Sequence, residues 1–145
     1  MAANAAPQQG DVYLRFDGQE NYVEIPSTAD YSVATTGELA IAAWIRPDTL
    51  NFPRWERTGY VHWFGPVRLG TRDRRSFFQG GVSRVRIWNR VLGADEVSAL
   101  YVSDAVPSSG LVAEFLLNAD TGTTATDTAR RNDGSIFGAA WEIQR

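Results

Sequence analysis

The stretch that most constrains this chain runs from Ser76 to Tyr101, SFFQGGVSRVRIWNRVLGADEVSALY. An aromatic pair, Phe77-Phe78, precedes Gly80-Gly81. Two adjacent glycines predict a sharp turn, because neither carries a Cβ to clash. From Val82 to Trp88 the chain alternates, with Val85 and Ile87 on one side and Arg84, Arg86 and Trp88 on the other. A period of two with one aliphatic side predicts a half-buried strand with an outer face of arginine and tryptophan. Asn89 to Gly93 turns the chain, and Ala94 to Tyr101 predicts about two helical turns. Asp95 and Glu96 fall at the positive end of that helix, and Val97, Leu100 and Tyr101 share one face.

The same period recurs elsewhere. Val12, Leu14 and Phe16 alternate with Tyr13, Arg15 and Asp17, and Asp17-Gly18 supplies turn chemistry before Tyr22-Val23-Glu24-Ile25. Pro26 ends that second strand. Gly37 to Pro47 predicts a third, with Leu39, Ile41, Ala43 and Ile45 on one face and Ala40, Ala42, Trp44 and Arg46 on the other. Asp48 to Thr58 reads as loop and Tyr60 to Phe64 as a short aromatic strand, which Gly65-Pro66 breaks. Ser103 to Ser109 is a polar connector, and Leu111, Ala113, Phe115 and Leu117 form one face of a later strand. Many short alternating strands punctuated by thirteen glycines and six prolines predict an all-β fold of 145 residues, long enough for one packed core.

Composition narrows function by exclusion. A chain without cysteine forms no disulfide and no thiolate metal site. The formal net charge of -3 gives no overall attraction to nucleic acid or to an anionic membrane. All fourteen basic residues are arginine, which suits planar, bidentate contacts; a coding bias toward arginine gives the same count. No apolar run reaches membrane-spanning length. Residues 1–10, MAANAAPQQG, carry no basic start and no apolar stretch, and read as a flexible leader in which no signal peptide is visible.

Three of these segments resemble laminin-G-like domains of the concanavalin A-like lectin and glucanase class. Leu14 to Gly18 with Tyr22 to Pro26 is similar to the family's L-x-F-D-G…Y-V-x-V/I-P opening. Leu39 to Pro47 is similar to its F-T-I-S-A-W-I/V-K/R-P strand. Phe78, Gly80, Val82, Val85 to Arg90, Leu92, Glu96-Val97 and Leu100-Tyr101 are similar to its closing strand and helix. Between Phe64 and Val67, where such domains carry several strands, this chain has only Gly65-Pro66. It is a natural minimal version, a shortened chain, or a chain that a partner completes. Gly110 to Trp141 resembles a segment that most relatives place before the first strand, and here it stands last. It is expected to close the same sandwich in permuted order, since two strands alone would be unstable; the other reading makes it the start of a second repeat. The resemblance implies a two-sheet antiparallel β-sandwich, a jelly roll, over residues 11–145 as a single domain with one short helix near 94–101, completed by 110–141.

The functional residues follow from that expectation. A glycosidase of this class would carry paired carboxylates about 5–5.5 Å apart on one strand, and no strand here has that array. His62 is the only histidine, so no nucleophile–base–orienter set can be assembled, and an enzyme is not expected. Carbohydrate binding is the activity the resemblance implies, through an aromatic platform with directed polar groups. The candidates are Trp44 with Arg46, Trp88 with Arg84 and Arg86, and the His62-Trp63 pair; the bland alternative puts these aromatics in the core.

The resemblance also implies a loop calcium site, for which Asp17, Asn21, Asp127 and Asp133 are the candidate ligands. The same residues beside glycine form turns without a metal. A basic run from Arg68 to Arg90, with Asp73 its only acid, would suit an acidic polysaccharide or an acidic protein surface. Nucleic acid is disfavoured by the acidity of the rest of the chain. The expectation is a non-catalytic carbohydrate-binding module, extracellular or on a cell surface. The alternative is a structural or assembly module that joins neighbouring proteins or copies of itself into a homo-oligomer.

Overall fold

A computed structural model describes residues 6–49, 66–71 and 73–145. The expected aromatic strand at 60–64, and with it His62, Trp63 and Trp55, lies outside those residues. The chain is an all-β sandwich of two antiparallel sheets. Sheet A contains β3 (Ala40–Pro47), β5 (Gln79–Trp88), β1 (Val12–Asp17) and β9 (Ala140–Ile143) in that order, and β6 (Leu111–Phe115) also pairs with β5. Sheet B contains β4 (Val67–Leu69), β2 (Tyr22–Ile25), β8 (Gly134–Phe137) and β7 (Thr124–Ala125). Besides α2 (Ala94–Ser103), a one-turn helix α1 (Val33–Thr36) and a 3-10 turn at Ala29–Tyr31 lead into β3.

Alternation explains which side chains meet. Leu14 and Phe16 of β1, Val82, Val85 and Ile87 of β5, and Ala113 and Phe115 of β6 face inward from sheet A. Val23 and Ile25 of β2, Ala125 of β7 and Ile136 of β8 meet them from sheet B. Burying an aliphatic or phenylalanine side chain of this size contributes about 1.5–3 kcal/mol, so this layer is the principal stabilising element. The turn from Asp17 to Asn21 carries the chain from sheet A to sheet B. Asp17 Oδ1 accepts from the Gln19 N–H at 2.8 Å, and Asn21 Oδ1 accepts from the Asp17 N–H at 2.9 Å.

The last third of the chain runs through both sheets. Leu14 faces Trp141 where β9 lies along β1, Val85 faces Phe115 where β6 lies along β5, and Val23 faces Ile136 where β8 lies along β2.

Three expectations are corrected. Gly80 and Gly81 do not form a turn; both lie inside β5. Their lack of a side chain serves close approach. A Cβ at Gly80 would stand 2.3 Å from the Arg46 carbonyl oxygen, at a φ of +148°, and one at Gly81 would stand 2.7 Å from the Tyr13 ring. Second, β5 does not alternate strictly. Ala42 faces Arg86 but Trp44 faces Ser83, so Arg84 and Val85 together oppose Ala43. Arg84 takes a φ of +50° to form this bulge, and Val82 and Val85 both point inward as a result. Third, β3 alternates as expected but its aliphatic face is not covered. Ile41 is opposite Ile87 and Ile45 opposite Val82, both buried partners, yet Ile41 is 65% and Ile45 60% exposed. Among the described strands, sheet A therefore extends beyond sheet B at this edge.

Candidate functional site

The outer face of sheet A is divided in two. One half is roofed by α2 and the connector after it. Trp88 is 0% exposed, and its indole N–H donates to the Pro107 carbonyl at 2.8 Å. Leu100 is buried under the same helix, whereas Val97 and Tyr101 are exposed, so only one of the three apolar positions expected on that helical face is packed away. Arg86 is 3% exposed. Its Nε donates to Glu114 at 2.8 Å and its Nη1 to Asp104 at 2.6 Å. Burial disfavours the guanidinium charge, but the two carboxylates outweigh it and hold the arginine's pKa above its ordinary value. Asp104 itself caps α2 in the left-handed region, with φ +53°.

α2 begins with half a capping box. Gly93 has no side chain to give, but its N–H donates to Glu96 Oε2 at 2.9 Å. The Arg90 guanidinium grips the same carboxylate at 2.6 and 2.8 Å. Arg90 and this N–H together hold the Glu96 carboxyl down at about 2. Arg90 Nε also donates to the Ser109 carbonyl at 2.7 Å, tying the start of the helix to the connector.

The other half of the outer face is open. Trp44 of β3 is half-buried, and its ring lies 5.6 Å from that of Tyr101, tilted by 30°. Two recesses adjoin this indole. One, of about 200 Å³, is lined by Tyr13, Trp44, Arg46, Ser83 and Gln144 together with Ala6 and Pro7. The other, of about 290 Å³, lies between Trp44, Arg84, Val97 and Tyr101, with Ile41 and Ala42 at its edge. The Tyr13 ring lies over Gly81. Its hydroxyl donates to Glu142 Oε2 at 2.7 Å, and this bond raises its pKa. Arg46 donates to Gln144 Oε1 at 3.1 Å, and Arg15 forms a two-pronged pair with Asp48. Chemically this half offers two apolar ring faces, guanidinium groups and an amide around one indole.

The candidate residues therefore separate. Trp44 and Arg46 line the open half, and Arg84 lines the second recess while reaching Asp11 at 3.4 Å. Trp88 belongs to the roofed half and presents no face to a ligand; Arg86 is buried there on Asp104 and Glu114 but also lines the second recess. The physical reason is that α2 and the 104–109 connector pack on the outer side of the strand that carries them. Sequence reasoning missed Tyr13, Tyr101 and Gln144 in the open half, and Asp104 and Glu114 as the partners of Arg86. The alternation of β1 already places Tyr13 on the outer face, which is the one signal that could have found it.

The candidate calcium ligands have other partners. Asp127 is fully buried; Oδ1 accepts from the N–H groups of Glu114 and Ala129, and Oδ2 from that of Asn132. Asp133 accepts from the Asp127 N–H at 2.8 Å. Asp17 and Asn21 form the inter-sheet turn already described. Among the described residues no group of three or more histidine or carboxylate side chains is placed to hold a cation. Of the basic run, Arg68 pairs with Glu24 at 2.9 Å, Arg86 with Asp104 and Glu114, and Arg90 with Glu96. Among the described helices none is long and apolar enough to cross a membrane.

No protein-family model, no curated protein and no solved structure matches this chain.

Proposed function

We propose that this chain is a non-catalytic binding module that holds a carbohydrate in the open half of sheet A's outer face, as part of an extracellular or cell-surface protein. The observation that carries this reading is the half-buried Trp44 indole, with a recess on either side and Arg46 and Gln144 beside it. A pyranose presents an apolar face suited to an aromatic ring and a rim of hydroxyls suited to directed donors and acceptors. Tyr13 and Tyr101 widen the platform, and Arg46 and Gln144 supply the donors. The resemblance to laminin-G-like and concanavalin A-like domains supports the same class of ligand.

The carboxylates near the open half support binding over catalysis. Asp48 is engaged by Arg15 and Glu142 by the Tyr13 hydroxyl, so both are committed to bonds within the protein. The test is a glycan array probed with the wild-type chain and with Trp44→Ala and Arg46→Ala, with calcium and with a chelator. The expected result is a defined saccharide class bound by wild type and lost by both variants. An array with no signal, or signal that both variants retain, would reject the reading. A second reading, as an assembly module, is favoured by a separate observation at β3.

A further inference from the structure

We propose that β3 is a self-pairing edge, through which two copies of this chain join their A sheets into one continuous antiparallel sheet. The proposal rests on strand geometry, and its two isoleucines adjoin the recesses beside Trp44, Ile45 the first and Ile41 the second. Among the described strands β3 is terminal in its sheet and pairs with β5 alone. Among those strands its outer edge is the one of its two that offers backbone N–H and C=O groups to a further strand.

Three features make that edge fit a second copy of itself. First, it is regular. The bulge in this region belongs to β5, where Arg84 and Val85 oppose Ala43, so β3 keeps an unbroken period of two across all eight residues. Second, the usual protections are absent from its interior. Leu39 to Ile45 contains no charged residue and no proline; Arg46 and Pro47 stand only at its end. Third, its pattern is symmetric about Ala43. Antiparallel pairing about a two-fold axis through Ala43 sets Ile41 opposite Ile45 of the second copy, and Ile45 opposite its Ile41. These are the two exposed isoleucines on the uncovered inner side of the sheet. Cross-strand neighbours share a face, so the pairing buries both isoleucines of each copy against each other. It sets Arg46 opposite Ala40, with no like charges facing. This is the residue-for-residue reciprocity of a two-fold interface. On the other face Trp44 lies opposite Ala42 of the second copy, which brings the two open recesses onto one surface.

The register is testable because the chain has no cysteine of its own. At the two-fold axis Ala43 faces its own counterpart, at a Cα separation of about 4.5–5.5 Å that a disulfide spans. Ile41 and its counterpart are four residues out of register, about 13 Å apart. The expected result is that Ala43→Cys gives a covalent dimer under mild oxidation while Ile41→Cys does not. Sedimentation velocity should show a concentration-dependent dimer for wild type. Ile41→Lys alone and Ile45→Glu alone should each weaken that dimer by roughly tenfold or more, because each sets an unpaired charge against an isoleucine. An equimolar mixture of those two variants should recover it, since one lysine then meets one glutamate across the axis. Circular dichroism confirms that each variant is folded. A wild-type chain that stays monomeric at all concentrations overturns the proposal. So does a dimer unaffected by both charged variants, or equal cross-linking of the two cysteine variants.

Discussion

Asp104 accepts from Arg86 at 2.6 Å, and this bond joins the middle strand of sheet A to the residue that ends α2. Glu114 of the neighbouring strand holds the other side of the same guanidinium, so one arginine fixes a helix end and two strands. Removing it would leave Glu114 without its cation and Asp104 with only Arg84, 4.0 Å away. Arg86→Ala is expected to destabilise the chain by about 3 kcal/mol, in the range for breaking a buried pair. Asp104→Asn should have a smaller effect, since Asp104 is partly exposed and asparagine keeps both a hydrogen bond and the left-handed backbone. Urea unfolding of the two variants checks the ranking.

Trp88 and Trp44 should respond oppositely to truncation. Trp88→Ala opens a cavity under α2 and frees the Pro107 carbonyl, at a cost of about 3–5 kcal/mol. Trp44→Ala removes a half-buried ring whose described ring partner is Tyr101, and its cost should be about 1 kcal/mol. The expected outcome is that Trp88→Ala lowers the melting temperature sharply while Trp44→Ala keeps the fold and removes saccharide binding.

The Gly80-Gly81 pair gives a graded test of close approach. Gly80→Ala drives a methyl against the fixed Arg46 carbonyl in a conformation that L side chains rarely adopt. Its cost should be about 3 kcal/mol. Gly81→Ala meets the Tyr13 ring, which can rotate away, so about 1 kcal/mol is expected. Displacing Tyr13 should nonetheless weaken ligand binding, because that ring lines the open recess. Chemical denaturation and ligand titration of the two variants separate these effects.

Acid should loosen the start of α2. The Glu96 carboxyl is held at about 2, below its ordinary value of 4.5, by Arg90 and the Gly93 N–H. A group depressed on folding contributes stability that is fully present above about pH 4.5 and lost as pH falls toward 2. The difference in melting temperature between wild type and Glu96→Gln should be constant above that window and shrink within it. A difference that does not change between pH 5 and pH 2, on the order of the window stated, would show that the ion pair is not formed in the native state.

Much of the frame was legible in the sequence because its signals are local. The alternation of Leu14 and Phe16, and of Val23 and Ile25, names the inward face of two strands without knowledge of their partners. What covers a face is not local. Ile41 and Ile45 have the period of a buried strand, but their exposure depends on how far sheet B extends. Alternation also places Trp88 and Arg86 on the outer face, where the structure has them. Their burial depends on a helix that follows the strand and on carboxylates 18 and 28 positions further along the chain. Gly80 and Gly81 carry the composition of a turn, and only the nearness of Arg46 and Tyr13 shows that they serve packing. The open site was half legible: Trp44 and Arg46 stand out, whereas Tyr101 and Gln144 arrive by tertiary folding.

A ligand is expected to meet Trp44 and not Trp88. The indole N–H region of a proton–nitrogen correlation spectrum reports the tryptophans separately, and a saccharide selected on the array can be titrated into it. The Trp44 indole signal should move with saturation while the Trp88 signal, held on the Pro107 carbonyl, stays in place. A Trp88 signal that shifts while that of Trp44 does not would place the ligand away from the Trp44 recesses.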